Sequence, residues 1–531
     1  MFALRYLVFV ACGLALLVAL LGTGLWNWHW GFVVPPALLT ALGVHDVLQR
    51  RHAVLRNYPI IGHLRYLIET VRPEIQQYLV DSDTDEVPFA RLQRSVVYQR
   101  AKGEPDGRSF GTKLELQEAG YEWVNHSMSP SQLESQDFRI PVGQGRKKPY
   151  ALSVFNISGM SFGALSANAI MALNKGAQMG GFAHDTGEGS VSPYHLQGGD
   201  LIWQLGSGYF GCRDENGKFD PERFAATAAN EHIKMIEIKL SQGAKPGHGG
   251  ILPAAKITPE ISRTRGVPMG VDCVSPSSHS EFSTPKELLA FIERLRELSG
   301  DKPVGFKLCI GHPWEFMSLA KAMHETGILP DFIVVDGAEG GTGAAPVEFT
   351  DHVGAPLQEG LLLVHNTLVG VGLRDQIKIG ASGKIITAFD IAKTLALGAD
   401  YCNSARGFMF AVGCIQAGVC GTGRCPTGVA TQDPQRQRAI DVGDKSQRVA
   451  NFHRNTMHAL KELVQATGLL HPSEFRPDHI LRRLSRDEAK PISMILTYLE
   501  PGDLLAGKLG HPVYERYWNR VSSDSFGLIR P

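Results

Sequence analysis

The first apolar run of the chain, Tyr6 to Leu25, contains no charged residue and leads into Trp26, Trp28 and Trp30. About 20 apolar residues cross the hydrocarbon core of a bilayer as a helix, and tryptophan favours the membrane–water interface. The pattern predicts a membrane-spanning helix. A second run, Trp30 to Val44, is shorter and holds Pro35-Pro36, which makes it a weaker span or half of a hairpin. A cleaved signal peptide fits less well, because the run is long and no clear small-x-small site follows it. Arg5 precedes the apolar region, whereas Arg50, Arg51, Arg56 and Arg65 follow it. Positive charge concentrates on the cytoplasmic side of a span, so the catalytic body is expected in the cytoplasm. A single span would leave the N-terminus outside; a hairpin would keep both ends inside.

From about Leu55 to Lys102 the chain is amphipathic and charged, with Pro59, Pro73 and Pro88 as punctuation, and predicts helices and extended connections. Between about Pro141 and Thr431 short apolar runs alternate with helix-like stretches. Ala151–Ile157 leads to Ala164–Met179, Val304–Cys309 to Trp314–Thr326, and Ile377–Gly380 to Ala388–Leu397, with Met235–Leu240, Val271–Val274 and Phe332–Val335 as further strands. Such alternation argues for a parallel sheet. Glycine clusters at 159–163, 187–189, 243–250 and 337–343 fall just after strand candidates. A doubly wound sheet gathers its glycines at one switch point, whereas a (β/α)8 barrel opens every strand end on one ligand-binding face. The spread of the clusters favours the α/β TIM barrel. The expected domains are an anchor over 1–48, a helical and extended region over 49–130, the barrel with a cysteine loop over 131–440, and a helical extension over 441–531.

The 53 basic and 53 acidic residues cancel, and no basic face with interleaved aromatics offers a nucleic-acid site. Eight cysteines in 531 residues are too few for a disulfide framework. Three of them, Cys414, Cys420 and Cys425, form C-x5-C-x4-C followed by Pro426. Structural zinc takes four ligands and favours C-x2-C pairs, and this segment has neither a pair nor a histidine. Three thiolates match the three irons of a [3Fe-4S] cluster, with glycines at 418, 421 and 423 letting backbone N–H groups approach the sulfides. Cys212, Cys273, Cys309 and Cys402 read as packed small hydrophobes.

Several long motifs, in order, resemble the synthase domain of glutamate synthase over roughly residues 130–460. They are Met160-Ser161-Phe162-Gly163, Asp185-Thr186-Gly187-Glu188-Gly189, the run from Ile238 through Lys239, Gln242 and Lys245 to Gly247, the run Asp336 to Ala344, and Cys425 to Pro434. The layout resembles the shorter glutamate-synthase-like proteins that lack the glutaminase region. The resemblance implies an FMN-dependent oxidoreductase in which ammonia and 2-oxoglutarate give 2-iminoglutarate, which is then reduced to glutamate. Lys239, Lys245 and Arg265 occupy positions that resemble the family's 2-oxoglutarate and flavin site, with Arg265 as a carboxylate clamp and Gln242 as a hydrogen-bonding partner. Glu188 resembles the active-site glutamate that handles ammonium protons.

Flavin phosphate in a barrel sits in the loops after strands seven and eight. Here those loops are Gly380-Ala381-Ser382-Gly383 and Ser404-Ala405-Arg406-Gly407, with Gly341 and Gly343 closing the preceding one. Lys307 would face the flavin's N1–O2 edge, and Met160 and Ser161 would approach the ring. The chain departs from the family at Ser382-Gly383-Lys384, where an acid and two glycines are usual, and at His248, where an acid is usual. The amidotransferase's nucleophilic cysteine has no counterpart, since Cys12 lies in the membrane run. Free ammonia, another amine or a partner would supply nitrogen. Gly206-Ser207-Gly208-Tyr209-Phe210-Gly211 spells a dinucleotide fingerprint but reads as a loop, because Pro221 and polar residues follow it. Electrons would come from ferredoxin or a separate reductase. Two other readings stay open: an enzyme joining methylamine to glutamate, and a membrane-docked electron-transfer module without a keto-acid site.

Overall fold

The computed structural model describes residues 5–49, 52–80, 82–84, 87–343 and 345–529. Arg50 and Arg51, used above for orientation, and Ala344 of the fourth motif lie outside the described residues. The chain divides into two compact units, one up to Ala90 and one from Arg91 onward.

In the first unit, α1 (Leu7–Trp26) and α2 (Val34–Leu48) form an antiparallel pair. Pro35 and Pro36 do not weaken the second helix. They stand in its first turn, where the missing N–H costs no intrahelical bond and the fixed φ suits a helix start. The helical stretch Trp30–Leu48 has 19 residues and mean hydropathy 1.5, against 20 residues and 2.5 for α1, so both are long and apolar enough to cross a membrane. Phe9 of α1 presses onto Gly43 of α2, its Cδ2 only 2.2 Å from where a Cβ would stand. A five-residue helix, Ala53–Asn57, and then α3 (Gly62–Ile75) follow.

The second unit is built on eight strands: β1 (Phe155–Ile157), β2 (His184–Asp185), β3 (Leu201–Leu205), β4 (Ile233–Lys239), β5 (Val304–Leu308), β6 (Phe332–Asp336), β7 (Lys378–Ser382) and β8 (Tyr401–Ser404). Every neighbouring pair is parallel, and β8 returns to β1 through Cys402–Phe155, Asn403–Asn156 and Ser404–Ile157, closing the barrel. This is the expected (β/α)8 architecture. Helices α4 (Ala167–Gly180), α5 (Pro221–Ala228), α6 (Pro285–Ser299), α7 (Pro313–Thr326), α8 (Leu357–Gly370) and α9 (Ala388–Ala396) follow β1, β3, β4, β5, β6 and β7. Ser166, Thr284 and Thr387 fix the starts of α4, α6 and α9, each accepting a hydrogen bond from a first-turn backbone N–H. The 25-residue helix α10 (Val442–Ala466) packs on α4, with Val449 filling the notch at Gly176.

Two strand expectations are corrected. The run Ala151–Ile157 is two strands: Tyr150–Ser153 pairs antiparallel with Arg139–Val142 outside the barrel, and only Phe155–Ile157 enters it. Val271–Val274 is not a barrel strand; Cys273 and Val274 pair antiparallel with Leu252 and Ile251. A short apolar run looks the same whether its partner is a parallel barrel strand or a loop hairpin.

Candidate active site at the barrel rim

Because the strands are parallel, Asp185, Lys239, Asp336, Ser382 and Ser404 end their strands at one rim. Register sets Lys307 of β5 beside Lys239 of β4, and Glu237 beside Gln204 of β3. Below the rim, the Gln204 amide donates to Asp185 Oδ2 at 3.1 Å and to Glu237 Oε1 at 2.6 Å, so one side chain bridges two buried carboxyls. Burial raises the pKa of both acids, and for Glu237 the nearby Asp185 adds to the rise. Lys307 answers them from β5, with its Nζ 3.3 Å from Asp336 Oδ2. Burial works against its charge, but Asp336, Glu237 and Asp185 outweigh burial and raise its pKa.

Above this layer a single cavity is lined by Met160, Ser161, Glu188, Lys239, Gln242, Lys245, Arg265, Lys307, Gly341, Gly343, Arg406 and Cys420, twelve of the residues expected from the sequence. They stand up to 260 positions apart in sequence, on strands, helix ends and loops that the barrel brings to one end. The Glu188 carboxylate lies 3.1 Å from Lys239 Nζ. It is seated between two glycines: a Cβ on Gly250 would fall 2.2 Å from its Oε1, and one on Gly206 would fall 2.6 Å from its Oε2. Burial alone would raise the Glu188 pKa, but Lys239, Arg265 and Lys245 overcome it and hold the group below the usual carboxylate range. Lys245 is buried, and desolvation lowers its pKa against the pull of Glu188.

Arg265 is also buried, at 5% exposure. One terminal nitrogen donates to Ser161 Oγ at 3.2 Å and to the Phe162 carbonyl at 3.1 Å, and the guanidinium stacks over Phe210. Its Nε has no acceptor among the described residues. On the opposite wall, Gly341 faces Arg406, with a Cβ there 3.0 Å from the guanidinium. Gly343 abuts Cys420.

Ser382, Gly383 and Gly407 do not line the cavity: Ser382 ends β7, Gly383 follows it, and Gly407 lies in the short helix Arg406–Ala411 after β8. The Ser382 hydroxyl donates to Asp336, Gly383 packs on Leu357, and Gly407 packs on Ser404. Cys414 and Cys425 are buried and Cys420 is half-buried; none is in a disulfide. The Cys414 thiol is raised by burial, with the charges of Cys420 and Cys425 close enough to contribute. Among the described residues no group of His, Cys, Asp and Glu converges on a single metal ion. Gly206–Gly211 forms a loop between β3 and α5, as expected from its sequence.

Several participants carried no sequence signal. Gln204 and Lys256 line the cavity, and Lys256 Nζ donates to the Cys420 carbonyl at 2.8 Å. His279 joins the Lys239 carbonyl at 2.9 Å to the Tyr209 hydroxyl at 2.9 Å and so fixes the end of β4. A lone histidine or glutamine outside a motif offers nothing to read; only the barrel closure reveals it.

Residues 112–470 match the family described as the conserved region in glutamate synthase. The chain is 39% identical over 493 residues to the glutamate synthase large subunit-like protein YerD of Bacillus subtilis (strain 168), covering 85% of this chain and 93% of that one. It is 38% identical over 351 residues to the archaeal glutamate synthase (NADPH) of Methanocaldococcus jannaschii, covering 66% of this chain and 65% of that one. Identity to the glutamate synthase (NADPH) large chain of Bacillus subtilis (strain 168) is 32% over 345 residues, covering 61% of this chain and 21% of that one. Motif order, cavity lining and these likenesses agree: the chain belongs to the glutamate synthase family of oxidoreductases.

Proposed function

We propose that the chain reductively aminates 2-oxoglutarate to glutamate, held at a membrane by α1 and α2 with the barrel on the cytoplasmic side. The observation that carries this reading is the charge of the cavity. Lys239, Lys245, Lys256, Arg265 and Arg406 line it beside one carboxylate, Glu188, while Lys307 answers the acids beneath. Five cations around one acid suit anionic ligands, here a dicarboxylate keto acid and a phosphorylated cofactor. A substrate carboxylate would give Arg265 Nε its missing acceptor and complete the guanidinium fork. Gln242 would hold the substrate by hydrogen bonds.

Ammonia condenses with the C2 carbonyl of 2-oxoglutarate, releasing water and leaving 2-iminoglutarate. Glu188, ionised at neutral pH, would draw ammonium to the site by its charge and orient the ammonia left when solvent takes the proton. Lys239 holds that carboxylate in place. Lys245, with its lowered pKa, is suited to deliver a proton to the nitrogen that becomes the amine. FMN, when bound, would supply the hydride for the imine carbon. Arg406, Gly341 and Gly343 would hold its phosphate end, and Lys307, Met160 and Ser161 its ring. Three free thiols with no fourth ligand among the described residues suit [3Fe-4S], which takes one thiolate per iron and is wider than a mononuclear site. Cys414, Cys420 and Cys425 would hold it beside the cavity, to receive electrons from ferredoxin or a separate reductase.

The test is an anaerobic titration of the dithionite-reduced protein with 2-oxoglutarate and ammonium, following flavin absorbance. Reoxidation with glutamate formed is the expected result. Reoxidation with methylamine but not ammonium would overturn the nitrogen donor, and no reoxidation with any amine would overturn the reaction.

A further inference from the structure

We propose that α3 is a membrane-surface helix whose apolar face lies in the lipid headgroup region of the bilayer that α1 and α2 enter; this rests on the anchor reading above. At about 100° per residue, Leu64, Leu67, Ile68, Val71 and Ile75 share an arc of about 100° on one side of the helix. Arg65, Glu69 and Arg72 lie on the other side, with Arg65 Nε donating to Glu69 Oε1 at 2.8 Å. The apolar arc is not packed away. Leu64, Leu67 and Ile68 are 54%, 61% and 52% exposed, and Val71 and Ile75 are exposed too. A continuous apolar arc opposite a charged one is the pattern of a helix that lies in the interface rather than across it.

Its connection to α2 supports a lipid occupant over a protein partner. Asp46, near the C-terminal end of α2, is fully buried. Its carboxylate accepts the Ile60 N–H at 2.9 Å and meets His63 Nε2 at 2.9 and 3.0 Å. Ile60 is held at φ 67°, a left-handed conformation that a β-branched residue rarely adopts. The corner between α2 and α3 is thus a built junction, and it ties the start of α3 to the end of a candidate span. A helix fixed there begins where that span leaves the hydrocarbon. Arg56, Arg65 and Arg72 put positive charge where anionic headgroups lie.

The experiment uses the full chain reconstituted in liposomes of phosphatidylcholine and phosphatidylglycerol. A fluorescent amino acid replaces Leu67, Glu69 or Val18, one at a time, and emission is quenched by acyl-brominated lipid or by aqueous iodide. The expected result is loss of most emission at 67 to brominated lipid with shielding from iodide, the reverse at 69, and lipid quenching at 18. Equal iodide access at 67 and 69, with Val18 still quenched by lipid, would overturn the surface helix and leave the anchor standing. Shielding of 67 from both quenchers would mean a protein cover, such as a second copy, and would also overturn it. A position 18 open to iodide would remove the anchor reading and this inference with it.

Discussion

Glu188 and Lys239, 51 positions apart in sequence, meet at 3.1 Å in a slot that only two glycines leave open. The pair joins the loop after β2 to the end of β4, so the acid stays ionised in a buried place. Glu188→Gln keeps the shape and removes the charge. Turnover with ammonium is expected to fall by about 10²-fold, the range for losing the group that positions a reactant. Because the folded pKa of Glu188 is depressed, the pair's stabilisation is present above the ordinary value of 4.5 and is lost as pH falls through the folded value. A pH–rate profile whose acidic limb lay above 4.5 and vanished in Glu188→Gln would contradict this.

Gly250→Ala tests the slot itself. The added methyl would stand 2.2 Å from Glu188 Oε1, so the carboxylate must leave Lys239. A displacement of about 1 Å at a reacting group costs up to about 10²-fold, and that loss is expected in kcat with the melting temperature little changed. Unaltered kcat would show that the position of Glu188 is not critical.

Arg265→Lys would discard the planar fork while keeping the charge. The bonds to Ser161 and Phe162 would go, together with the free Nε. The KM for 2-oxoglutarate is expected to rise about tenfold or more, as for other losses of a bidentate carboxylate contact. Equal KM values in the two proteins would place the substrate carboxylate elsewhere.

Lys307→Met would leave Asp185, Glu237 and Asp336 without the cation that answers them. Removing one partner of a buried charge cluster costs about 3–5 kcal/mol. The deficit has a pH signature. Asp185 and Glu237 already have raised folded pKa values, from ordinary values of 3.8 and 4.5. Without Lys307 they rise further, and each then opposes folding increasingly as pH climbs from its unfolded to its folded value. Urea midpoints should separate wild type and variant more at pH 8 than at pH 5. A gap that widened toward acid would reject the assignment.

Serine at Cys414, Cys420 or Cys425 should lower the iron bound per chain, measured by plasma mass spectrometry on anaerobically purified protein. Serine at Cys402, buried on β8 away from the triplet, should leave iron unchanged. Iron retained in all three variants would end the cluster proposal.

The sequence by itself determined the barrel class, the apolar N-terminal helices and twelve of the residues that line the cavity. Glycine clusters after successive apolar runs reveal strand ends that open toward a ligand, and long motifs keep Glu188, Lys239, Gln242 and Lys245 in recognisable settings. Three strands escaped notice. β2 is only His184 and Asp185, β8 is the partly polar Tyr401–Ser404, and β3 is buried on both faces, so none shows the alternation that marks a half-exposed strand. What only the tertiary structure decided is which distant groups share one electrostatic environment. Gln204 bridges Asp185 to Glu237, His279 pins Lys239, and Asp46 holds the corner before α3. Each contact joins a polar side chain to a group from 14 to 40 positions away, and neither member taken singly signals the other. Hydrogen bonds and charge pairs act over a few ångströms, so their partners exist only once the barrel and the N-terminal helices have closed.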